Sequence, residues 1–212
     1  MTLASDVPLD RQQHIVLDDV SWELYEHLLE EVGDGHVRLT YSDGRLEIMS
    51  PLPVHEMWSR RIYSLIQVVC MERLIEMVPL GSTTFRDEDK EQGLEPDECY
   101  YIEHAAHGHQ IQGAFNPAVD PPPDLAIEID ITRRSIPKQP IYAALGVPEL
   151  WRYDGKRLHV LLLVDGDYKP APASKAFPFL PIGEFETFIN RFNDHTVTAV
   201  LLSFREWVRT LR

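Results

Sequence analysis

One short segment predicts the central strand of the fold: Pro122-Pro123-Asp124-Leu125-Ala126-Ile127-Glu128-Ile129-Asp130-Ile131. Side chains alternate between the two faces of a strand, so this segment divides into two sets. The apolar set, which we expect to face the core, is Leu125, Ile127, Ile129 and Ile131. The opposite set is Asp124, Ala126, Glu128 and Asp130. Three carboxylates on one face repel one another unless a cation lies among them, and Mg²⁺ prefers such oxygen ligands. A solvated edge strand is the alternative explanation.

A second acidic strand begins in the same way. Pro96-Asp97, like Pro123-Asp124, stands before a run of residues with high β propensity, and proline is tolerated where a strand begins. A single Pro-Asp pair is also a common turn signal. Two neighbouring strands that each bring a carboxylate to one end would form a compact pocket rich in oxygen ligands.

A short helix with a lysine in its first turn follows the second strand. Pro137 suits the first helical position, Gly146 suits the helix end, and Lys138 lies between them. A lysine is unfavourable near a helix N-terminus. Lys138 is therefore either a solvated surface lysine or the counter-ion of a carboxylate cluster. The residues before the helix, Thr132-Arg133-Arg134-Ser135, predict a polar turn.

Together these segments resemble a large bacterial family of restriction-endonuclease-like proteins within the PD-(D/E)XK nuclease superfamily. The specific part of the resemblance runs from Pro123-Asp124 through Glu128, Lys138 and Tyr142 to Gly146-Val147-Pro148-Glu149-Leu150-Trp151. Weaker matches precede it, at Gly44-Arg45-Leu46-Glu47-Ile48-Met49-Ser50-Pro51 with His55, and at Leu94-Glu95-Pro96-Asp97-Glu98. The resemblance spans roughly residues 15–165 and implies an α/β (α+β) fold: a restriction-endonuclease-like core with a mixed central β-sheet flanked by helices.

The resemblance also implies a metal-dependent phosphodiesterase site acting on DNA with Mg²⁺ or Mn²⁺. Asp97 and Glu128 match the metal-binding acids, with Asp124 as an additional ligand. Lys138 would stabilise charge on the scissile phosphate or position the attacking water. Asp130, His55 and Glu47 are auxiliary candidates, although a histidine in a first helical turn is more often exposed.

One departure from the superfamily pattern keeps the function open. A lysine is expected two residues after Glu128, and Asp130 stands there. Lys138 then corresponds to a lysine that has migrated to the next helix, a recurring variation in this superfamily. Asp130 favours a second hypothesis: a catalytically weak or inactive nucleic-acid or protein-binding module on the same fold. An accessory protein with a structural role as a dimer is a third.

Composition limits the protein class. We expect an N-terminal arm over 1–13 and one nuclease-like domain over 14–212 that includes C-terminal helices. Two cysteines give neither a disulfide framework nor zinc spacing. The sequence lacks a signal peptide and an apolar run long enough to cross a membrane, so we expect a cytoplasmic protein.

The net charge is the observation that weighs against DNA binding. At −14 it opposes phosphate contacts. The opposition is relieved only by bound cations or by local basic groups, of which the candidates are Arg60, Arg61, Arg133, Arg134, Arg205, Arg209 and Arg212.

The remaining segments predict flanking helices and hairpins. Helices are expected over 21–32, 54–75, 184–192 and 196–211, hairpins over 37–49 and 150–164, and a strand over 77–86. Residues 103–122 predict a loop, whose three histidines we do not expect to bind zinc. The last helix carries an apolar stripe: Phe204, Trp207, Val208 and Leu211. This stripe predicts a homodimer surface, or else it closes the core of the monomer.

Overall fold

The computed structural model describes residues 13–33, 35, 37–131 and 136–211. Its strands are β1 (Gln13–Leu17), β2 (Arg38–Ser42), β3 (Arg45–Ser50), β4 (Val78–Pro79), β5 (Phe85–Asp87), β6 (Gln92–Leu94), β7 (Glu98–Tyr101), β8 (Leu125–Ile129), β9 (Glu149–Tyr153), β10 (Leu158–Val164) and β11 (Asp167–Pro170). Its helices are α1 (Trp22–Val32), α2 (Pro53–Arg73), α3 (Ala105–Gly108), α4 (Lys138–Leu145), α5 (Ile182–Arg191) and α6 (Val197–Thr210). The predicted polar turn at 132–135 and nearly all of the predicted arm lie outside the described residues.

A six-stranded mixed sheet forms the centre of the molecule, in the order β11-β10-β9-β8-β7-β4. The segment quoted above provides β8, which pairs antiparallel with β7 and parallel with β9. Its apolar face is buried, as predicted: Leu125, Ile127 and Ile129 are fully buried in a core cluster with residues of α2, α5 and α6, and Ile131 is partly buried. A mixed α/β architecture with a central sheet flanked by helices is therefore confirmed.

The acidic face of β8 is covered as well. Ala126 belongs to a second core that includes Ile141, Tyr142 and Leu145 of α4 and Phe85 of β5. Because this layer lies over the strand, Glu128 is only 2% exposed. The solvated edge strand, offered above as an alternative, is wrong.

A second sheet, which we did not expect, forms from the N-terminal part of the chain. Its order is β1-β3-β2-β6-β5, and it buries a small core against α1. The predicted hairpin of β2 and β3 turns at Asp43-Gly44, where both residues have positive φ. Strand β1 begins at Gln13, at the end of the predicted arm, and pairs antiparallel with β3.

Helix α2 connects the two sheets and carries the predicted buried stripe, including Ile62, Leu65, Ile66 and Val69. Helix α6 packs along it, and there Glu72 accepts hydrogen bonds from Arg205 (2.5 Å) and Arg209 (2.8 Å). Phe204 and Val208 are fully buried in the same core. Phe204 and Val208 of the predicted stripe thus help to close the core of the monomer, whereas Trp207 and Leu211 are only partly buried against it. The homodimer stays a prediction. None of the described helices combines the length and apolarity needed to cross a bilayer.

Candidate active site

Asp97 lies immediately before β7, and its side chain accepts the hydrogen bond of a backbone amide of β8. The strand register ends at Glu98 opposite Ile127. One residue further, the backbone N–H of Asp97 donates to the carbonyl of Ile127 (3.1 Å), and the amide of Ile129 donates to Asp97 Oδ2 (2.6 Å). Since a fixed backbone amide holds one carboxylate oxygen, the orientation of the Asp97 side chain follows from the sheet itself.

Arg38 of β2 holds the other oxygen of this carboxylate. Its Nη1 donates to Asp97 Oδ1, and its Nη2 donates to Glu56 Oε1 at 2.6 Å. Burial alone would lower the pKa of Arg38, but the carboxylates of Asp97, Glu56 and Glu128 outweigh it and raise that pKa above its ordinary value. Arg38 therefore remains charged although it is only 7% exposed.

Glu128 of β8 is the acceptor for two side chains of α4. Lys138 Nζ donates to Glu128 Oε1 (3.0 Å) and also to the carbonyl of Glu95 (2.9 Å). The hydroxyl of Tyr142, one helical turn later, donates to the same Glu128 oxygen (2.5 Å). Lys138 and Tyr142 share a helix face at spacing i, i+4, which explains why α4 presents both to the strand. Lys138 is buried beside a carboxylate, so the solvated-lysine alternative is wrong.

These groups form one site at the junction of the two sheets. Asp97 is bound to the amide of Ile129, the residue next to Glu128, so the two acids lie on neighbouring strands at the same end of the sheet. Glu95 lies close by: burial raises its pKa, and the charges of Arg38 and Lys138 oppose that rise. Lys138 contacts Glu128, and Asp97 lies on the neighbouring strand; that the three side chains act together as a site stays a prediction.

Asp124 lies at the opposite end of β8. Its Oδ2 accepts the backbone amides of Ile102 (2.6 Å) and His104 (2.9 Å), and its Oδ1 lies 2.6 Å from His104 Nδ1. Four residues along a strand span about 13 Å, which is too far for a shared ion with Glu128. Asp124 instead holds the turn between β7 and α3, and the expectation that it lies beside the other acids is wrong.

The auxiliary candidates occupy different positions around the site. Asp130 forms an ion pair with Arg152 of β9. Arg152 is the residue of β9 that lies in register with Glu128. Glu47 of β3 is buried and lies in register with Thr40, on the sheet face that also carries Arg38. His55, in the first turn of α2, is only 2% exposed. Our expectation that His55 is solvent-exposed is therefore wrong.

The histidines between β7 and β8 each contact a carboxylate. His104 pairs with Asp124, His107 with Asp120 (2.8 Å) and His109 with Glu76 (2.8 Å). Over the residues that the structure describes, no three His, Cys, Asp or Glu side chains cluster in a way that could hold a metal.

The donor set of the site nevertheless suits one kind of metal. Asp97 and Glu128 supply carboxylate oxygens from adjacent strands. Mg²⁺ is commonly bound through one or two carboxylates, with water and substrate phosphate completing its coordination. The residues present therefore fit Mg²⁺ or Mn²⁺ if water and substrate phosphate supply the remaining ligands.

Three side chains of the site did not follow from sequence reasoning. Arg38 is 59 residues from Asp97 in the chain, and no pattern links them. Glu95 was part of the quoted motif but carried no predicted role. Tyr142 was also quoted, and its spacing of four residues from Lys138 was a usable signal, because such pairs share one helix face.

Similarity to known proteins is found in a family model and in a solved structure. No curated protein matches the chain. A crystal structure of a putative nuclease belonging to DUF820 from Anabaena variabilis ATCC 29413 is similar in structure, with a TM-score of 0.45 and 17% sequence identity over 79% of this chain and 90% of that one. The family model Uma2, described as "Putative restriction endonuclease", matches residues 22–186. That match includes Asp97, Glu128 and Lys138, so this chain belongs to the Uma2 family.

Proposed function

We propose that this chain is a cytoplasmic, metal-dependent endonuclease that hydrolyses phosphodiester bonds in DNA. The observation that carries the proposal is the buried pair between Lys138 and Glu128, with Asp97 fixed on the neighbouring strand. Buried charged groups are costly, and they concentrate at functional sites for that reason. Family membership supports a nuclease, and the roles below are our assignment.

Asp97 and Glu128 would hold Mg²⁺ or Mn²⁺ in this site. When bound, such an ion polarises a phosphoryl oxygen and lowers the pKa of a coordinated water. Glu95 is close enough to Arg38 and Lys138 for their charges to oppose the rise that burial causes in its pKa.

Lys138 and Tyr142 orient the carboxylate of Glu128. Both donate to Glu128 Oε1, which fixes this carboxylate on the α4 side of the strand. Lys138 also places its positive charge where negative charge develops on a phosphate during hydrolysis. The backbone amide of Ile129 performs the corresponding orienting role for Asp97.

Two observations favour a second candidate, a binding module on the same fold. Asp130 occupies the position of the strand lysine and is engaged with Arg152. The side chain of Lys138 is only 5% exposed and already has two acceptors. A lysine in this state must leave an acceptor before it can bind a phosphate, so weak or absent turnover would be consistent with the geometry.

Nicking of supercoiled plasmid DNA separates the two candidates. We expect the wild-type protein with Mg²⁺ or Mn²⁺ to convert supercoiled into open-circular and linear DNA, and we expect Glu128→Ala to remove this activity. Asp124→Asn is the matched control, because it changes a carboxylate on the same strand away from the site. Loss of nicking in Glu128→Ala but not in Asp124→Asn supports the endonuclease. No nicking by the folded wild-type protein, with retained DNA binding in a gel shift, supports the binding module.

We also propose that the protein acts as a homodimer, because two sites address the two strands of a duplex. Of the α6 stripe, Phe204 and Val208 are buried in the monomer, which leaves Trp207 and Leu211 partly exposed. Light scattering tests the assembly: a species of 24.4 kDa at micromolar concentration would contradict it.

A further inference from the structure

The contact between Arg38 and Asp97 conflicts with metal binding by the same carboxylate. Both oxygens of Asp97 already accept hydrogen bonds, one from Ile129 and one from Arg38. The Ile129 amide belongs to β8 and cannot leave without opening the strand pairing. The guanidinium of Arg38 is at the end of a side chain, so it is the partner that can move.

The charges around Arg38 strengthen this conflict. Arg38 and Lys138 contribute two positive charges against the carboxylates of Asp97, Glu56 and Glu128. A divalent cation beside Asp97 would meet the guanidinium at close range in a buried site, where like charges repel strongly. Arg38 therefore already offsets part of the negative charge that a cation beside Asp97 would neutralise.

Glu56 gives Arg38 a second partner. The side chain of Glu56 is 46% exposed, whereas that of Asp97 is 2% exposed, so Arg38 connects the buried acid to the surface. Glu56, whose Oε1 lies 2.6 Å from Arg38 Nη2, is an acceptor for the guanidinium that does not depend on Asp97. A DNA phosphate would offer a further acceptor, because the planar guanidinium binds phosphate oxygens through two parallel hydrogen bonds.

We propose that Arg38 is a positioning residue that competes with the divalent cation for Asp97 and is released by the phosphate of a nucleic acid. The ion is then bound weakly by the protein alone and tightly in the presence of DNA. This inference rests on the proposed metal site and specifies how that site is controlled.

Mn²⁺ binding, measured on the full chain by the loss of the free-ion electron paramagnetic resonance signal, tests the inference without any assay of turnover. We expect Arg38→Met to bind Mn²⁺ at least about ten-fold more tightly than the wild type, because a charge in contact with the site is removed. Arg38→Lys keeps the charge and should bind as weakly as the wild type. Arg38→Gln is a second neutral variant, which retains a hydrogen-bond donor for Asp97 if the methionine variant does not fold.

Two further variants serve as controls. Arg60→Met removes an arginine that also pairs with a buried carboxylate, Glu98, but outside the site. It should leave Mn²⁺ affinity unchanged. Glu128→Gln should weaken Mn²⁺ binding, because it removes a charged ligand.

The dependence on DNA completes the test. A short duplex with non-hydrolysable phosphorothioate linkages should tighten Mn²⁺ binding in the wild type, and it should do so less in Arg38→Met. Neutral variants that bind Mn²⁺ no more tightly than the wild type overturn the competition while leaving the metal site intact. Absence of Mn²⁺ binding in every variant, with and without the duplex, overturns both this inference and the proposed metal site.

Discussion

The buried pair between Lys138 and Glu128 makes a quantitative prediction for stability. The two atoms are 3.0 Å apart, and the side chains are 5% and 3% exposed. With an effective dielectric constant of about 20, a pair at this distance attracts by about 5.5 kcal/mol. Removing one member of a buried pair costs about 3–5 kcal/mol, because the remaining charge stays buried.

We therefore expect Lys138→Met to lower the free energy of unfolding by about 3 kcal/mol, the lower end of that range, because Tyr142 still donates to Glu128. For a domain of this size, such a change lowers Tm by about 6–12 °C. The double variant Lys138→Met with Glu128→Gln should return to within about 2 kcal/mol of the wild type, since it removes both charges together.

Urea unfolding with linear extrapolation measures the free energy of unfolding of Lys138→Met, of Glu128→Gln and of the double variant. Together these values give the coupling energy between the two residues. Arg60→Met is the matched control: its partner Glu98 is buried, but Arg60 itself is 66% exposed, so its loss should cost less than about 1 kcal/mol. The reasoning would be refuted if Lys138→Met cost less than about 1 kcal/mol, or if the double variant lost the sum of both single effects.

Three other substitutions test separate parts of the structure. Glu149→Ala leaves the indole N–H of Trp151 and the amide of Ala176 without their buried acceptor. It should cost about 2–4 kcal/mol in urea unfolding, and a wild-type value would contradict this assignment. Asp124→Ala should speed amide hydrogen exchange in the turn after β7; unchanged exchange would show that the carboxylate does not hold that turn. Burial raises the pKa of Glu98 above its ordinary value of 4.5, so the folded state favours its protonated form. The stability of Glu98→Gln relative to the wild type should therefore increase as pH rises through that raised pKa, and a difference that stays constant with pH would refute the shift.

The central strand was predictable because its pattern is local. Alternation from Leu125 to Ile131 assigned each side chain to a face, and the structure agrees. The same pattern could not show that the acidic face is buried, because the covering residues of α4 and β5 come from other parts of the chain. Alternation also places Asp124 and Glu128 on one face, but their four-residue spacing, about 13 Å along a strand, was already enough to separate them.

The N-terminal sheet was missed for a related reason. Strands β5 and β6 contain three residues each, too few to show a period of two. Strand β6 pairs with β2 of the hairpin at long range, and β5 pairs with β6. Arg38, which contacts Asp97, comes from β2 of this sheet. Sequence reasoning therefore found the acids and the lysine of the site but not the arginine that contacts one of them.

The backbone role of Asp97 has a consequence for the evolution of the family. Its carboxylate completes the hydrogen bonding of Ile129, so replacing it would damage the sheet even in a protein that cleaves nothing. Selection for folding alone would then preserve this aspartate. A descendant that had lost hydrolysis could keep the acidic motif intact for a long time. Among related chains, substitution of Lys138 or Arg38 would therefore indicate a loss of hydrolysis more reliably than retention of Asp97 would indicate activity.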